Sequence, residues 1–207
     1  MFARWQARML KNPTGLFARW YLGPLWNRRN AVLNDAALEE LLKFPGGRVL
    51  EIGFGGGYLL ERLAATANDA VLHGVDASPT LVHFVSRRLR PLIRAQKLTL
   101  HCATAEALPF PDAAFDQVVS VNSLFYWDDP SRGFAEIRRG LATPGRLVLC
   151  LTEKESLRVK KFSRHGLKLF EAEELERLLA AANFTGIRCE RRQDAYRRFL
   201  LITANAR

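Results

Sequence analysis

Two hydrophobic patterns alternate along the chain from residue 48 onward. Short, nearly continuous apolar runs are typical of buried strands, and longer segments with apolar positions three and four residues apart are typical of amphipathic helices. The order strand, helix, strand predicts an α/β fold, a doubly wound parallel sheet with helices on both faces. The five strands predicted in this part are "RVLEIG", "AVLHGVDA", "KLTLHCA", "AFDQVVSVN" and "RLVLCLTE".

The helices between these strands are indicated by their starting residues as well as by their period. "GYLLERLAATA" follows the first strand directly, and "SPTLVHFVSRRLRPLIRAQ" begins with Ser78 as an N-cap and Pro79 at the first helical position. "DPSRGFAEIRRGLA" and "EAEELERLLAAANF" are the later helices. After the last of them, "TGIRCERR" and "YRRFLLITAN" are close enough in sequence to pair as antiparallel strands.

The first 45 residues have a different pattern. "FARW" occurs twice, three of the four tryptophans precede residue 27, and no acidic residue appears before Asp35. We predict two short amphipathic helices, followed by a third over "NAVLNDAALEELLK". Residues 1–45 are therefore predicted to form an N-terminal helical lid or extension, and residues 46–207 a ligand-binding domain.

The net charge of +10 lies entirely in the two flanks of the chain. Residues 46–153 hold 11 basic and 11 acidic side chains, whereas residues 1–45 hold 7 against 3 and residues 154–207 hold 13 against 7. Basic flanks around a neutral centre favour an anionic partner, which can be an acidic substrate, a membrane surface or a nucleic acid.

Composition limits the class and the compartment. A chain of 207 residues that is 48% apolar suits one domain with a full core. It has no uninterrupted apolar run of about 18 residues and no secretory signal at its start. Cys102, Cys150 and Cys189 are odd in number and lack the spacing of metal ligands, which predicts buried free thiols in a reducing cytoplasm.

Glycines follow the first predicted strand in the order E-x-G-x-G-x-G, with Glu51, Gly53, Gly55 and Gly57. A dinucleotide loop needs a third glycine where this chain has Tyr58, so that pattern fails. A pyrophosphate is bound by bare N–H groups and the positive N-terminus of a helix. A carboxylate beside the loop would repel it, because both groups are negatively charged. The same carboxylate favours S-adenosylmethionine, which carries an ammonium and a sulfonium.

Asp76 ends the second predicted strand in "HGVDAS". A carboxylate there can accept hydrogen bonds from both hydroxyls of a ribose, and Ser78 already supplies the cap of the following helix. A nucleoside ligand is the prediction, although nicotinamide folds use the same acid.

Four segments together resemble the class I S-adenosylmethionine-dependent methyltransferases, in the broad small-molecule group. They are "VLEIGFGGG", "GVDAS", "ATAEALPFPDAAFDQVVSVNSLFYW" and "EIRRGLATPGRLVL", and they cover about residues 48–152. The resemblance implies a Rossmann-like sheet of seven strands with the last strand antiparallel, and S-adenosylmethionine as cofactor without a metal. Residues 46–207 are then the cofactor-binding domain.

The resemblance also implies roles for individual residues. The glycines resemble the wall beside the methionine part, Glu51 the acid that fixes the loop and faces the ammonium, and Asp76 the ribose ligand. Thr104 stands where relatives commonly have aspartate, so we expect weaker or differently made adenine recognition. The full cofactor-binding set is Glu51, Gly53, Gly55, Gly57, Asp76, Ala77, Thr104, Ala105, Glu106 and Asn122.

Acceptor residues are expected after the fourth strand and in the N-terminal helices. The predicted substrate residues are Asn27, Asn30, Phe125, Tyr126 and Trp127. The three aromatic residues can instead belong to the core between sheet and helix, and the asparagines can be an ordinary hydrated helix face. The catalytic residue is unknown; His165 and Tyr126 are weak candidates, and a solvated role for His165 is the alternative.

The sequence thus predicts a methyltransferase acting on a small apolar or amphipathic acceptor such as a lipid, a quinone or a secondary metabolite. A nucleic-acid methyltransferase is an alternative, but the loop after the fourth strand lacks the prolines of the base-methylating type. A non-catalytic module that binds a cofactor or a lipid is the other alternative. The basic, tryptophan-rich N-terminus also suits a peripheral contact with an anionic membrane by an otherwise cytoplasmic protein. The oligomeric state is not predicted.

Overall fold

The computed structural model describes residues 30–67, 69–158 and 167–207. These residues form one seven-stranded sheet with the order β3-β2-β1-β4-β5-β7-β6. The strands are β1 Gly47–Ile52, β2 Ala70–Asp76, β3 Leu98–Cys102, β4 Phe115–Val121, β5 Leu141–Thr152, β6 Phe184–Gln193 and β7 Arg198–Ala206.

Helices connect the strands on both faces of the sheet. They are α1 Ala31–Leu42, α2 Tyr58–Thr66, α3 Pro79–Arg88, α4 Arg90–Arg94, α5 Pro130–Gly140, α6 Lys154–Arg158 and α7 Ala172–Ala181, and residues Leu124–Tyr126 form a 3₁₀ turn.

The sheet confirms the predicted fold class. Strands β1 to β5 pair in parallel, and β7 pairs antiparallel with both β5 and β6. The chain moves outward from β1 to β3 and then returns to β4 on the other side of β1. Ligands of such sheets bind beyond the carboxyl ends of the strands where the order reverses, which here is between β1 and β4.

Two hydrophobic clusters cover the two faces of the sheet, which explains why the central strands are apolar at almost every position. Val118 and Val119 are consecutive in β4 and both are fully buried, one in each cluster. Helices α1, α2 and α3 cover one face, and α5 and α7 cover the other.

Helix α1 is part of this core. Leu33 and Leu41 are 0% and 1% exposed, and each such burial stabilises the fold by roughly 2 kcal/mol. At the end of the helix, the Glu40 carboxylate accepts from Arg146 Nη2 at 2.6 Å and also binds Lys43. Helix α1, the last helix of the lid predicted over residues 1–45, therefore packs on the sheet, and residues 1–29 of that lid lie outside the described residues.

Local departures from the predicted elements have local causes. The single helix expected over residues 78–96 is divided at Leu89, and Pro91, which has no N–H to donate, lies in the first turn of α4. The predicted cap is confirmed, since Ser78 Oγ accepts from the Leu81 N–H at 3.4 Å. Cys150 is buried and Cys189 half-buried, but the prediction was wrong for Cys102, which is exposed at the end of edge strand β3.

Candidate functional site

The turn between β1 and α2 brings bare backbone to the carboxyl end of the sheet. Gly53, Gly55 and Gly57 have φ angles of +75°, +52° and +73°. A Cβ at Gly53 would lie 2.3 Å from Ser123 Cβ, and one at Gly57 would lie 2.7 Å from a methyl group of Val85. Both the backbone conformation and the space available therefore require glycine at Gly53 and Gly57, and the turn packs directly on Ser123 in the turn that follows β4.

Asp76 fixes this glycine turn to the end of β2. Its Oδ2 accepts from the Gly55 N–H at 2.9 Å, and its Oδ1 accepts from the Ser78 N–H at 2.9 Å. Burial raises the pKa of Asp76, and these two N–H groups oppose that shift. Each oxygen keeps a second lone pair, so the expected contact with a ribose stays a prediction beside this observed structural role.

Glu51 lies beneath the same turn, next to last in β1. Its side chain is 3% exposed, and burial together with the charge of Asp76 raises its pKa to about 8, against the lowering effect of the Leu60 N–H. Oε2 has no hydrogen-bond partner among the described residues. With this pKa the side chain keeps its proton at neutral pH, because an ionised carboxylate would be costly to bury, and a cationic ligand group beside it would favour the ionised form.

Arg88 of α3 holds the other end of the glycine turn. Its Nη2 donates to the carbonyl oxygens of Gly56 and Gly57 at 2.9 and 3.0 Å, and its Nη1 lies 2.8 Å from Glu61 Oε2. No sequence pattern indicated this residue, because the carbonyls it binds are about thirty positions away and carry no residue-type signal.

The turn after β4 is the opposite wall of the site. Asn122 has a φ of +52°, and its N–H donates to the Cys150 carbonyl at 2.8 Å. Its side chain joins Thr152 and Asn30 at 2.8 and 2.9 Å. The Asn122 amide group, predicted to bind the cofactor, is thus engaged within the protein, and a ligand contact by its backbone stays a prediction.

This arrangement agrees with what comparison with known proteins shows. Residues 50–149 match the family model described as a methyltransferase domain. This part of the chain therefore belongs to the class I S-adenosylmethionine-dependent methyltransferase family.

Two relatives and one solved structure show how far the similarity extends. The uncharacterized methyltransferase YdaC of Bacillus subtilis is 29% identical over 72% of this chain and 83% of its own length. The ubiquinone/menaquinone biosynthesis C-methyltransferase UbiE of Geobacter sulfurreducens is 34% identical over 65% of this chain, which spans only 48% of that relative. The structure of the [4+2]-cyclase SpnF shares the fold, with a TM-score of 0.74, 23% identity and coverage of 87% of this chain and 82% of that one.

In this methyltransferase the turns after β2 and β3 adjoin each other at the predicted adenine side. The Ala103 N–H donates to the Asp76 carbonyl at 3.2 Å, and Cys102 Sγ lies 3.9 Å from the Ala77 carbonyl oxygen. Ala77 and Thr104 are exposed, and Ala105 is buried. Ala77 and Thr104 are therefore accessible to a ligand, as the adenine prediction requires.

Glu106 has a different neighbour from the one expected. Its Oε1 accepts from the Asp129 N–H at 3.1 Å, next to the start of α5. The side chain therefore ties the loop after β3 to the loop after β4, and a contact of Glu106 with the cofactor stays a prediction.

Arg139 of α5 fixes residues 108–112, which follow the predicted adenine-binding segment. The sequence gave no indication of this role for Arg139. It pairs with Glu136 at 2.9 Å and with Asp112 at 2.8 Å, and it donates to the Phe110 carbonyl at 2.8 Å. The hydrogen bond from Arg139 lowers the pKa of the half-buried Glu136, and the three contacts together hold the loop against α5.

The three aromatic residues after β4 divide into two kinds. Phe125 and Trp127 are 5% and 6% exposed and belong to the core, the alternative that the sequence left open. The Trp127 Nε1–H donates to Ser123 Oγ at 3.2 Å, and its ring packs edge-on against Phe134. Tyr126 is half-buried, and its burial raises the pKa of its hydroxyl to about 12. At neutral pH it can donate a hydrogen bond but cannot act as a base.

Two predicted residues, Asn27 and His165, lie outside the described residues. Lys168, near the start of the last described range, lies beside the loop that follows β4. Its N–H donates to the Phe125 carbonyl at 3.2 Å, and its Nζ donates to the Asp128 carbonyl. Within the described ranges, no group of three or more His, Cys, Asp or Glu side chains could hold a metal ion. No helix among the described residues is long and apolar enough to cross a membrane.

Proposed function

We propose that this protein transfers a methyl group from S-adenosylmethionine to a small apolar or amphipathic acceptor of the lipid, quinone or secondary-metabolite type. The observation that supports it best is the unpartnered buried oxygen of Glu51 beneath the glycine turn. A cationic amino-acid nucleoside compensates this oxygen, whereas a diphosphate does not.

The residues present fit that cofactor. When bound, S-adenosylmethionine supplies an activated methyl group on its sulfonium. The glycine turn would hold the methionine part, Asp76 the ribose, and Ala77 with the Thr104–Ala105 pair the adenine. The protein's own contribution is to orient the acceptor and to exclude water, because the methyl group is already activated.

The acceptor is proposed to be one that needs little help from a base. Tyr126 keeps its proton at neutral pH, and His165 is the remaining candidate. Relatives are named for methylation in ubiquinone/menaquinone biosynthesis, of malonyl-acyl carrier protein, and of 27-O-demethylrifamycin SV. An acidic hydroxyl, a carboxylate or an electron-rich ring carbon shares the property that its nucleophilic form exists near neutral pH.

The first test is cofactor choice by isothermal titration calorimetry. Micromolar binding of S-adenosylhomocysteine and no binding of NADH are expected. Binding of NADH without binding of S-adenosylhomocysteine would refute the proposal.

The second test is transfer of labelled methyl groups into a total lipid and metabolite extract. A product must be measured, because a cyclase with the same fold shows that fold alone does not establish methyl transfer. Labelled product that partitions into organic solvent is expected. Binding of S-adenosylhomocysteine without any product favours a non-catalytic module, and salt-dependent binding of RNA or DNA with labelled nucleic acid favours the other alternative.

We further propose a peripheral membrane contact through residues 1–29, which lie outside the described residues. We also propose that the protein is otherwise cytoplasmic. Sedimentation of the protein with anionic vesicles, compared with a variant lacking Trp5 and Trp20, tests the first.

A further inference from the structure

Four side chains that are distant in sequence meet at the carboxyl ends of β4 and β5. They are Asn30 before α1, Asn122 after β4, Thr152 at the end of β5 and Arg197 between β6 and β7, and we refer to them as the amide ring. All four are buried or half-buried. The ring stands beside the turn that borders the cofactor site.

Four hydrogen bonds close the ring. Asn122 Nδ2 donates to Asn30 Oδ1 at 2.9 Å, and the Thr152 N–H donates to Asn122 Oδ1 at 2.8 Å. Arg197 Nη1 completes it by donating to Asn30 Oδ1 and to Thr152 Oγ1, each at 3.3 Å.

The chemistry of the fixed donors determines how both amides point. The backbone N–H of Thr152 can only donate, so the Asn122 atom that faces it must be oxygen, which turns Nδ2 toward Asn30. A guanidinium can only donate, so the Asn30 atom that faces Arg197 must also be oxygen. The two requirements agree, and neither asparagine can flip its amide without creating a clash of two donors or of two acceptors.

Arg197 is itself held firmly. Its side chain is 9% exposed and pairs at 3.3 Å with Asp194, whose side chain is 8% exposed. The other oxygen of Asp194 accepts from the N–H groups of Tyr196 and Arg197 at 2.7 and 2.8 Å. The hairpin between β6 and β7 thus presents the guanidinium to the ring in one orientation.

The ring acts on a backbone segment that touches the glycine turn. Asn122 has a left-handed φ of +52°, and the next residue, Ser123, leaves no room for a side chain at Gly53. Ser123 Oγ is also 2.6 Å from Ser120 Oγ and accepts from Trp127. A change in the conformation of Asn122 therefore moves the wall against which the cofactor turn packs.

We propose that Arg197 is a positioning residue of the cofactor site. It binds Asn30 and Thr152, which in turn hold Asn122. The ring thereby joins α1 and the β6–β7 hairpin to the turn after β4. The part of this proposal that concerns the cofactor rests on the proposed function. The part that concerns the turn rests on the hydrogen bonds alone.

The ring predicts an asymmetry between two substitutions of the same type. Asn30→Asp keeps the oxygen that accepts from both Asn122 and Arg197, so it should be tolerated. Asn122→Asp keeps the acceptor for Thr152 but places a second oxygen against Asn30, whose amide Arg197 prevents from turning. A general loss of packing would not distinguish these two changes, since each replaces one amide by a carboxylate of the same size.

The experiment combines calorimetry with S-adenosylhomocysteine and amide hydrogen exchange of the free protein. N122D should weaken binding by about tenfold, the effect of one lost buried hydrogen bond, and N30D by less than about twofold. Exchange at Asn122 and in the first turn of α1 should accelerate in N122D and in R197A but not in N30D. Arg198→Ala, a change at the adjacent exposed arginine, is the matched control and should leave both readouts unchanged.

A double variant adds a test of the role of Arg197. In the R197A background the Asn30 amide is free to turn, so adding N122D should cost less than it does in the native protein. Equal effects of N30D and N122D, or unchanged exchange in R197A, would overturn the proposal. If the native protein does not bind S-adenosylhomocysteine, the proposed function fails, and the exchange data alone decide whether the ring holds the turn.

Discussion

The two walls of the candidate site are held in different ways. Around β1 and β2, the Asp76 carboxylate holds a backbone turn made of glycines, and the buried Glu51 side chain lies beneath it. Around β4 and β5, neutral amides and one paired arginine hold the turn at Asn122. We call the part around β1 and β2 the cofactor wall and the part around β4 and β5 the acceptor wall, after their proposed ligands. The cofactor wall depends on ionisation and on the absence of side chains, and the acceptor wall depends on hydrogen-bond direction. The first should therefore respond to pH and to added volume, and the second to exchanges between donors and acceptors.

The largest effect is expected from Gly53→Ala. The added Cβ would lie 2.3 Å from Ser123 Cβ on a backbone with φ of +75°, so the two turns must separate. We expect a loss of roughly 3 kcal/mol or more in the free energy of unfolding and no measurable S-adenosylhomocysteine binding. Urea denaturation and calorimetry measure the two quantities.

Gly46→Ala is the matched control for this change. Gly46 has a φ of +85°, but a Cβ there would meet nothing within 4 Å. Only the backbone strain is then added, which costs on the order of 1 kcal/mol. Equal destabilisation by the two substitutions would show that contact with the turn after β4 does not matter.

Glu51→Gln tests the charge on the cofactor wall. The pKa of Glu51 is raised from 4.5 to about 8 in the folded protein, so its contribution to stability is present below pH 4.5 and is lost as the pH rises through 8. The native protein should lose stability relative to E51Q between pH 5 and pH 9, by no more than roughly 4–5 kcal/mol. Urea denaturation at both pH values gives this double difference, and parallel pH profiles would contradict it.

The same variant should bind the cofactor less tightly at high pH. The native carboxylate must be ionised to compensate the ligand's ammonium, so its affinity for S-adenosylhomocysteine should increase from pH 6 to pH 9, and that of E51Q should not. Calorimetry over this range measures the difference. An identical pH dependence of both affinities would show that Glu51 does not sense the ligand.

Thr104→Asp tests the effect of threonine at the position where relatives commonly have an aspartate beside the adenine. A carboxylate at this exposed position can accept a hydrogen bond from the adenine amino group, and we expect S-adenosylhomocysteine to bind about tenfold more tightly. Ala107→Asp, at another exposed residue of the same loop, controls for the added negative charge. A tighter complex in both variants would indicate a long-range charge effect instead.

The smallest effect is expected from Tyr126→Phe. Because the pKa of Tyr126 is raised to about 12, the hydroxyl keeps its proton from pH 6 to pH 9, and its removal should not change the shape of the pH–rate profile. The rate itself should fall by less than about tenfold, the contribution of one hydrogen bond to the acceptor. Loss of an ionisation from the profile in Y126F would identify Tyr126 as the base.

The cofactor wall could be predicted from the sequence because its signals are local. The residues from Glu51 to Gly57 are adjacent, and the need for left-handed backbone restricts them to glycine. Asp76 was predicted because it ends a strand, and parallel strands place their carboxyl ends at one edge of the sheet. What the sequence did not reveal was the depth of Glu51, because burial depends on the helix that closes over it.

The acceptor wall could not be predicted in the same way. The sequence placed Asn30 and Asn122 in the site but gave no indication that their amides bind each other across 92 positions. Arg88, Arg139 and Arg197 belong to a chain with 31 basic residues, so their type alone carries little information. Phe125, Tyr126 and Trp127 are consecutive aromatic residues, and only packing separated the two that belong to the core from the half-buried tyrosine.

The sequence by itself determined the alternation of strands and helices, the glycine turn and the two carboxylates beside it, because backbone geometry and apolar periodicity act over a few neighbouring residues. Only the tertiary structure decided which polar groups satisfy one another at the reversal of the sheet. A hydrogen bond between distant side chains depends on direction and on a separation of about 3 Å, and both are fixed only when strands, helices and hairpin have packed.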